Sequence, residues 1–283
     1  MSAEPKSAAE VAAEMQKLYD ASLPELLELA KALVETSPPK RLPFMQYVHF
    51  SIAERIFILV QDVYESFMTS LETGYFTSAA LTRSMMESAT VLALLNRDGA
   101  GEMYSAFLEH QEKEATKRRD KLAGMTPKGS YIAWAAKNES EIADRVLLAL
   151  TQTRAAAALP AAQGSFPNMA ERCRILGEGW EFTYHAIYRD LCEAVHGSFL
   201  KAAHSPGHAF SSPNKGAALI YDHCKVMSQA LEFWAFAMME CFEGHSDATN
   251  LESFRAKLSA LIDADARLIN SFPASAKVFK IAF

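Results

Sequence analysis

Apolar residues recur at intervals of three and four along most of the chain, the period of an amphipathic helix, and no alternating β-branched run of strand length stands between turn signals. The pattern predicts helices over residues 8–20, 23–36, 43–72, 76–96, 100–122, 130–157, 168–203, 214–243 and 250–271, the seventh broken near Gly177 and Gly179. Punctuation supports the division. Ser22 ahead of Pro24 reads as a helix start with proline in the first turn, and Pro38 and Pro39 stop the helix before them. Gly74, Gly99 and Gly244 fall where C-terminal caps belong, while Thr249 and Glu252 have the spacing of a capping box. With no fixed-period repeat, low-complexity block or long linker, the expectation is a single all-α domain over 1–283, with 1–7 and 273–283 as flexible tails.

The longest apolar clusters, residues 56–60 and 233–239, read as core helix segments by their length, and the second is apolar on every side. Such a helix must be covered, inside a bundle or at a subunit interface, so Phe233, Trp234, Phe236, Met238 and Met239 are expected as core, and a homodimer is expected with them. A hydrophobic ligand pocket is the other reading of these aromatics. Trp134 and Trp180 have no evident partner. Residues 158–167, "ALPAAQGSFP", and 204–216, "HSPGHAFSSPNKG", read as surface connections, or as lids or ordered crossovers.

Charge narrows the partners. The formal net charge of −6 argues against non-specific coating of nucleic acid, which needs a surplus of Lys and Arg, so RNA is not favoured as a partner. The run "EKEATKRRDKLAG" gathers Lys113, Lys117, Arg118, Arg119 and Lys121 against Glu114 and Asp120. It reads as a solvated helix face near a C-terminus, with Lys117, Arg118, Arg119 and Lys121 as a candidate phosphate-contacting surface in the alternative. The four cysteines, Cys173, Cys192, Cys224 and Cys241, form no CxxC pair and read as buried free thiols of a reducing compartment. A polar, acid-containing N-terminus and the lack of a long apolar run predict a cytoplasmic protein with no membrane segment.

No GxGxxG after a strand, Walker loop, GxSxG or HExxH is present, and no cofactor is expected. His185, His196, His204 and His208 crowd one stretch, but Pro206 and Gly207 break any helix between the last two. His185 and His196 would stand ~16 Å apart along an unbroken helix, too far for one ion. No metal site is expected. His49, His110 and His245 read as isolated residues of the surface or core edge.

The stretch "YRDLCEAVHGS" carries the sharpest candidate chemistry. At about 100° per residue, Arg189 and His196 lie within about 20° of one line, two turns apart. Tyr184, Tyr188, Leu191 and Val195 make the neighbouring apolar stripe, and Glu193 stands within reach of either polar residue. The ladder serves equally as a catalytic pair or as the polar flank of a packing face.

Arg189, Asp190 and the five residues leading to His196 resemble the Arg-x4-6-His motif of the HEPN superfamily. The earlier segment "TRSMMESATVLALL", with Arg83 and Glu87 four residues apart, joins it in resembling a group of bacterial helical proteins related to that superfamily. The similarity spans about residues 45–245. It implies an up-and-down helical bundle, here with extra N- and C-terminal helices, that forms a dimer. For active members it implies metal-independent endoribonuclease chemistry at the dimer interface. Arg189 would steady the scissile phosphate, His196 would move the proton of the 2′-hydroxyl or leaving oxygen, and Asp190 would orient one of them. The other reading is an interaction or ligand-binding module in which Arg83, Glu87, Arg189, Glu193 and His196 form a polar network between two helices.

Overall fold

The computed structural model describes residues 6–36, 44–71, 74–98, 101–123, 129–157, 159–196, 213–242 and 248–277. Among them every regular element is helical: α1 (Ala8–Thr36), α2 (Phe44–Thr69), α3 (Tyr75–Asn96), α4 (Glu102–Ala123), α5 (Ser130–Ala157), α6 (Met169–Leu176), α7 (Glu178–Thr183), a π-helical turn (Tyr184–Tyr188), α8 (Arg189–His196), α9 (Pro213–Phe242), α10 (Ala248–Ser271) and α11 (Ala274–Lys277). The protein is an all-α bundle.

Its organising element is α9. The apolar face Leu219, Met227, Ala230, Leu231, Trp234, Met238 and Phe242 is wholly or almost wholly buried and packs against α1, α2, α3, α10 and α11. Of the segment that is apolar on every side, Phe233, Trp234 and Met238 are buried within one chain, and Phe236 and Met239 are partly buried. The other apolar cluster keeps Ile56 and Val60 buried and leaves Ile58 half-exposed. Trp180 also has a partner, meeting Phe236 edge-on at 5.1 Å between ring centres.

The predicted division at Ser22 and Pro24 is not made: α1 runs unbroken through Pro24. A proline inside a helix costs about 3 kcal/mol and orphans the carbonyl four residues back. That carbonyl belongs to Asp20, an exposed residue. Meanwhile Val11, Met15, Tyr19, Leu23, Leu26, Ala30 and Leu33 keep one phase and are buried to 1 % exposure or less. At about 1.5–3 kcal/mol for each of Val11, Met15, Leu23, Leu26 and Leu33, this stripe outweighs the proline and holds α1 along α9 and α10.

Gly74 is a second correction. It does not cap α2 but stands at the start of α3 with φ −73°, where any residue is comfortable. It is required for room, since a Cβ there would come within 2.7 Å of the Ser66 and Ser70 carbonyl oxygens. Thr249 already lies inside α10, which begins at Ala248. Gly99, Gly244, Pro38, Pro39 and His245 lie outside the described residues, as do the tails 1–5 and 278–283; within the predicted C-terminal tail, Ala274–Lys277 is helical and Ala276 is buried.

The break at Gly177 occurs as expected, and Gly177 needs its glycine because φ is +106°. Upstream, Asn168 and Glu171 exchange side-chain and backbone bonds of 3.1 and 2.9 Å, a full capping box that starts α6. Downstream, the π-helical turn shifts the phase of the helix. The apolar stripe read through it is thereby altered: α8 buries Leu191 and Ala194, whereas Val195 is 40 % exposed.

The segment 159–168 is an ordered crossover. Ser105 donates to the Pro160 carbonyl at 2.5 Å, Gln163 donates to Glu102 at 2.7 Å, and Phe166 is buried beside Phe107. It returns the chain from a hairpin of α4 and α5, in which α5 packs chiefly on α4, to the bundle.

Candidate functional site

The α4–α5 hairpin stands off the bundle, and the space between them is a cleft of about 620 Å³. Five helices contribute its walls. From α2 come Ser51 and Arg55, from α3 Ser84, Glu87 and Ser88, from α4 Phe107 and His110, from α5 Thr153, and from α6 Arg172. The size lies within the range that takes a small molecule.

Glu87 forms part of its floor, and two side chains behind the floor hold it. Arg83 Nε donates to Glu87 Oε1 at 3.1 Å, one turn back on α3, and the Tyr188 hydroxyl donates to the same oxygen at 2.8 Å. The Arg83 guanidinium also lies over the Tyr188 ring, 5.5 Å from its centre. The π-helical turn ends at Tyr188; within it Arg189 N–H bonds back to the Tyr184 carbonyl, five residues away, and the Tyr184 and Tyr188 rings stack at 5.4 Å. Burial first, then the bond to Glu87, pushes the Tyr188 phenol well above its ordinary pKa, so it remains a donor.

Arg172 is the unusual member. Burial pulls its guanidinium below the ordinary arginine value, with Glu87 acting in the opposite sense. Its guanidinium rests 5.6 Å from the Phe166 ring centre, and Nη2 reaches only the Met169 sulfur, a weak acceptor, at 3.3 Å. Its Nε is buried without a hydrogen-bond partner. Phe166 also stacks with the His110 ring at 5.9 Å, so loop, α4 and α6 are clasped together beside the cleft.

The hydroxyls of Ser84 and Ser88 donate to the carbonyls of Ala80 and Ser84 at 3.2 and 2.9 Å, which leaves their oxygens free to accept. Nearby on α4, Glu109 and Glu112 are turned onto Arg154 of α5 at 2.7 and 3.3 Å.

The sequence-predicted residues fall into three groups. Arg83 and Glu87 are brought together, with Tyr188 as their third member. Glu193 is half-buried on α8; Arg189 and Asp190 are exposed there, and Asp190 lies 3.6 Å from Lys225 of α9. His196 ends α8, and its side chain, like His204 and His208, lies outside the described residues. In the basic run, Lys117 pairs with Glu114 at 2.6 Å, Arg119 with Asp120 at 2.8 Å and Arg118 with Glu139 of α5, while Lys121 is exposed in the last turn of α4. All four cysteines are free thiols; Cys192 is half-buried rather than buried.

Sequence reasoning missed Arg172, Arg55, Ser88 and the cleft itself. Only the capping signal before α6 was available to suggest that "NMAERC" begins a helix with an arginine on one face. Among the described residues no group of three or more His, Cys, Asp or Glu side chains is placed to hold a metal ion. Nor is any described helix long and apolar enough to cross a membrane.

Residues 51–208, more than half of the chain, match the family described as a family of unknown function, DUF5677. The chain belongs to that family. The matched region takes in α3 to α8 and most of α2, hence all walls of the cleft except Val48, and excludes α1, α9, α10 and α11. Comparison with curated proteins and with solved structures gave no match.

Proposed function

We propose that the protein is a binding module, HEPN-like in kinship, that receives a small molecule in the cleft between its bundle and the α4–α5 hairpin. The observation that carries this is the construction of the cleft: polar groups from five helices converge on one space, and its floor carboxylate is fixed by Arg83 and Tyr188. Two elements far apart in sequence, α3 and the π-helical turn, have to be in register for that carboxylate to be held. Kinship with the HEPN superfamily rests on the Arg189–His196 spacing and on Arg83 and Glu87, carried by α8 and by the α3 against which it packs. The four free thiols fit a reducing, cytoplasmic setting.

The test is a collection of small molecules scored by thermal melting of the wild type and of Ser88→Trp, whose indole fills the cleft. Compounds that raise the melting temperature of the wild type are expected to leave Ser88→Trp unmoved. Equal stabilisation of both proteins would move the binding site elsewhere.

A further inference from the structure

We propose that the cleft is an oxyanion site, in which Arg172 grips a carboxylate or phosphate carried on an apolar body. This rests on the binding reading above and adds the chemical class of the ligand.

A guanidinium offers five N–H donors in a planar fork. In Arg172 one nitrogen reaches a thioether sulfur, Nε reaches nothing, and the cation leans on the Phe166 ring. A half-buried arginine that only supported the fold would be expected to sit on a carboxylate, as Arg154 does on Glu109 and Glu112. Glu87 is the acidic neighbour, yet its Oε1 is already occupied by Arg83 and Tyr188. Arg172 and Arg55 thus give the walls two cations, and the one carboxylate between them is matched by Arg83. In a chain of net charge −6 this local excess has the sign that an anion needs.

The remaining walls describe the rest of the ligand. Phe107, Val91 and Leu108 offer an apolar surface, and the accepting oxygens of Ser84 and Ser88 suit a ligand hydroxyl or amide. Arg172 lines the cleft, and a guanidinium fork engages two oxygens of one carboxylate or phosphate at once.

The test uses the full chain and four probes: benzoate, its neutral counterpart benzamide, phenyl phosphate and inorganic phosphate. Binding is followed by calorimetry and by the ¹H–¹⁵Nε resonance of Arg172, in the wild type, Arg172→Met, Arg172→Lys and Ser88→Trp. Benzoate or phenyl phosphate is expected to bind the wild type, to shift the Nε resonance, and to lose about 10- to 100-fold in affinity in Arg172→Met, the worth of a charge-assisted pair. Arg172→Lys regains only part, because an ammonium is not a fork. Arg172→Met is expected to melt close to the wild type, since beside a donor that has no partner it removes only a weak bond to sulfur and a ring contact. Inorganic phosphate binding with the same dependence identifies phosphate as the recognised group, and benzoate binding alone identifies the carboxylate.

Benzamide binding as tightly as benzoate, and lost in Ser88→Trp, overturns the oxyanion class and leaves the cleft as a neutral site. No response to any of the four probes, or anion binding that survives both Arg172→Met and Ser88→Trp, overturns the assignment of Arg172. So does an Arg172→Met protein that melts several degrees lower and binds the anions undiminished, because the guanidinium is then structural.

Discussion

The bundle and the cleft both take polar side chains out of water, but they treat them differently. In the bundle, Tyr19 of α1 donates to Asp265 of α10, and His223 of α9 sits between the Ser78 hydroxyl at 2.8 Å and the Leu71 carbonyl at 3.0 Å. Each of these sets is closed on itself. Thr82 and Trp234 have a hydroxyl and an indole N–H without partners, but both are neutral groups enclosed in the core. In the cleft, the group left without a partner is an enclosed N–H of a cation, Arg172, whose side chain lines the open space. A neutral orphan costs about 1–3 kcal/mol and goes no further, whereas a charged one beside an open space is also a recognition element.

Breaking a closed set gives the largest effect. Tyr19 is fully buried, edge-on to Phe67 at 5.4 Å, and joins the first helix to the last long one. Tyr19→Ala is expected to cost about 3–5 kcal/mol in denaturant unfolding, chiefly through the cavity. Tyr19→Phe isolates the polar share, about 1.5–3 kcal/mol, because Asp265 then keeps its burial and loses a donor. A Tyr19→Phe protein as stable as the wild type would show that this bond carries no weight.

The second closed set predicts a pH dependence. Burial lowers the His223 pKa from 6.5 to about 4, with the bond to Leu71 pulling the other way. The unfolded chain therefore binds more protons than the folded one between those values. Stability is unaffected above pH 6.5, falls as pH drops from 6.5 towards 4, and loses on the order of 3 kcal/mol across that window. Asp265 acts in the opposite sense: burial raises its pKa, against hydrogen bonds from Ser228 and Tyr19, so its contribution declines as pH rises through the folded value. Urea melts of His223→Gln between pH 7 and 4 should show a flatter acid limb than the wild type, and Asp265→Asn a steeper one. Parallel profiles for wild type and His223→Gln would contradict the assignment.

At the floor of the cleft the effects are smaller. The Arg83 and Glu87 side chains are 24 % and 38 % exposed, so solvent screens the pair. Tyr188→Phe and Arg83→Met are each expected to cost about 1 kcal/mol, and a double-mutant cycle should return a coupling of about 0.5 kcal/mol or more, since both hold the same oxygen. Additive costs would mean that Glu87 is held by neither in particular.

These differences explain what was legible in the sequence. Helices were, because burial of a stripe such as Val11 to Leu33 is written in its spacing. The Arg83–Glu87 pair was legible for the same reason: one turn of helix sets it. Pro24 misled, because a local rule met a stripe of seven buried side chains that outweighed it. Tyr19 and Asp265 lie 246 residues apart, and no local pattern announces their bond. Arg172 was hidden for another reason, since what marks it is the lack of a partner, which becomes visible only when every neighbouring carboxylate has been placed. The phase of α8 was misread because the π-helical turn leaves no signature in the order of apolar residues.

The smallest expected effect concerns α8, where the two readings of "YRDLCEAVHGS" part. Arg189 and Asp190 are exposed, and the Asp190–Lys225 contact of 3.6 Å joins side chains 52 % and 37 % exposed. Exposed pairs of this kind are worth about 0–1 kcal/mol, so Arg189→Ala and Asp190→Asn should unfold within about 0.5 kcal/mol of the wild type. Neither residue lines the cleft, and ligand binding there should be unchanged in both variants. The same proteins test the ribonuclease chemistry. RNA cleavage by the wild type that disappears in Arg189→Ala at unchanged stability would make α8 the working surface and leave the cleft as a second site. The stability of these variants is thus more than a control: because α8 contributes so little through Arg189, any loss of activity there cannot be charged to unfolding.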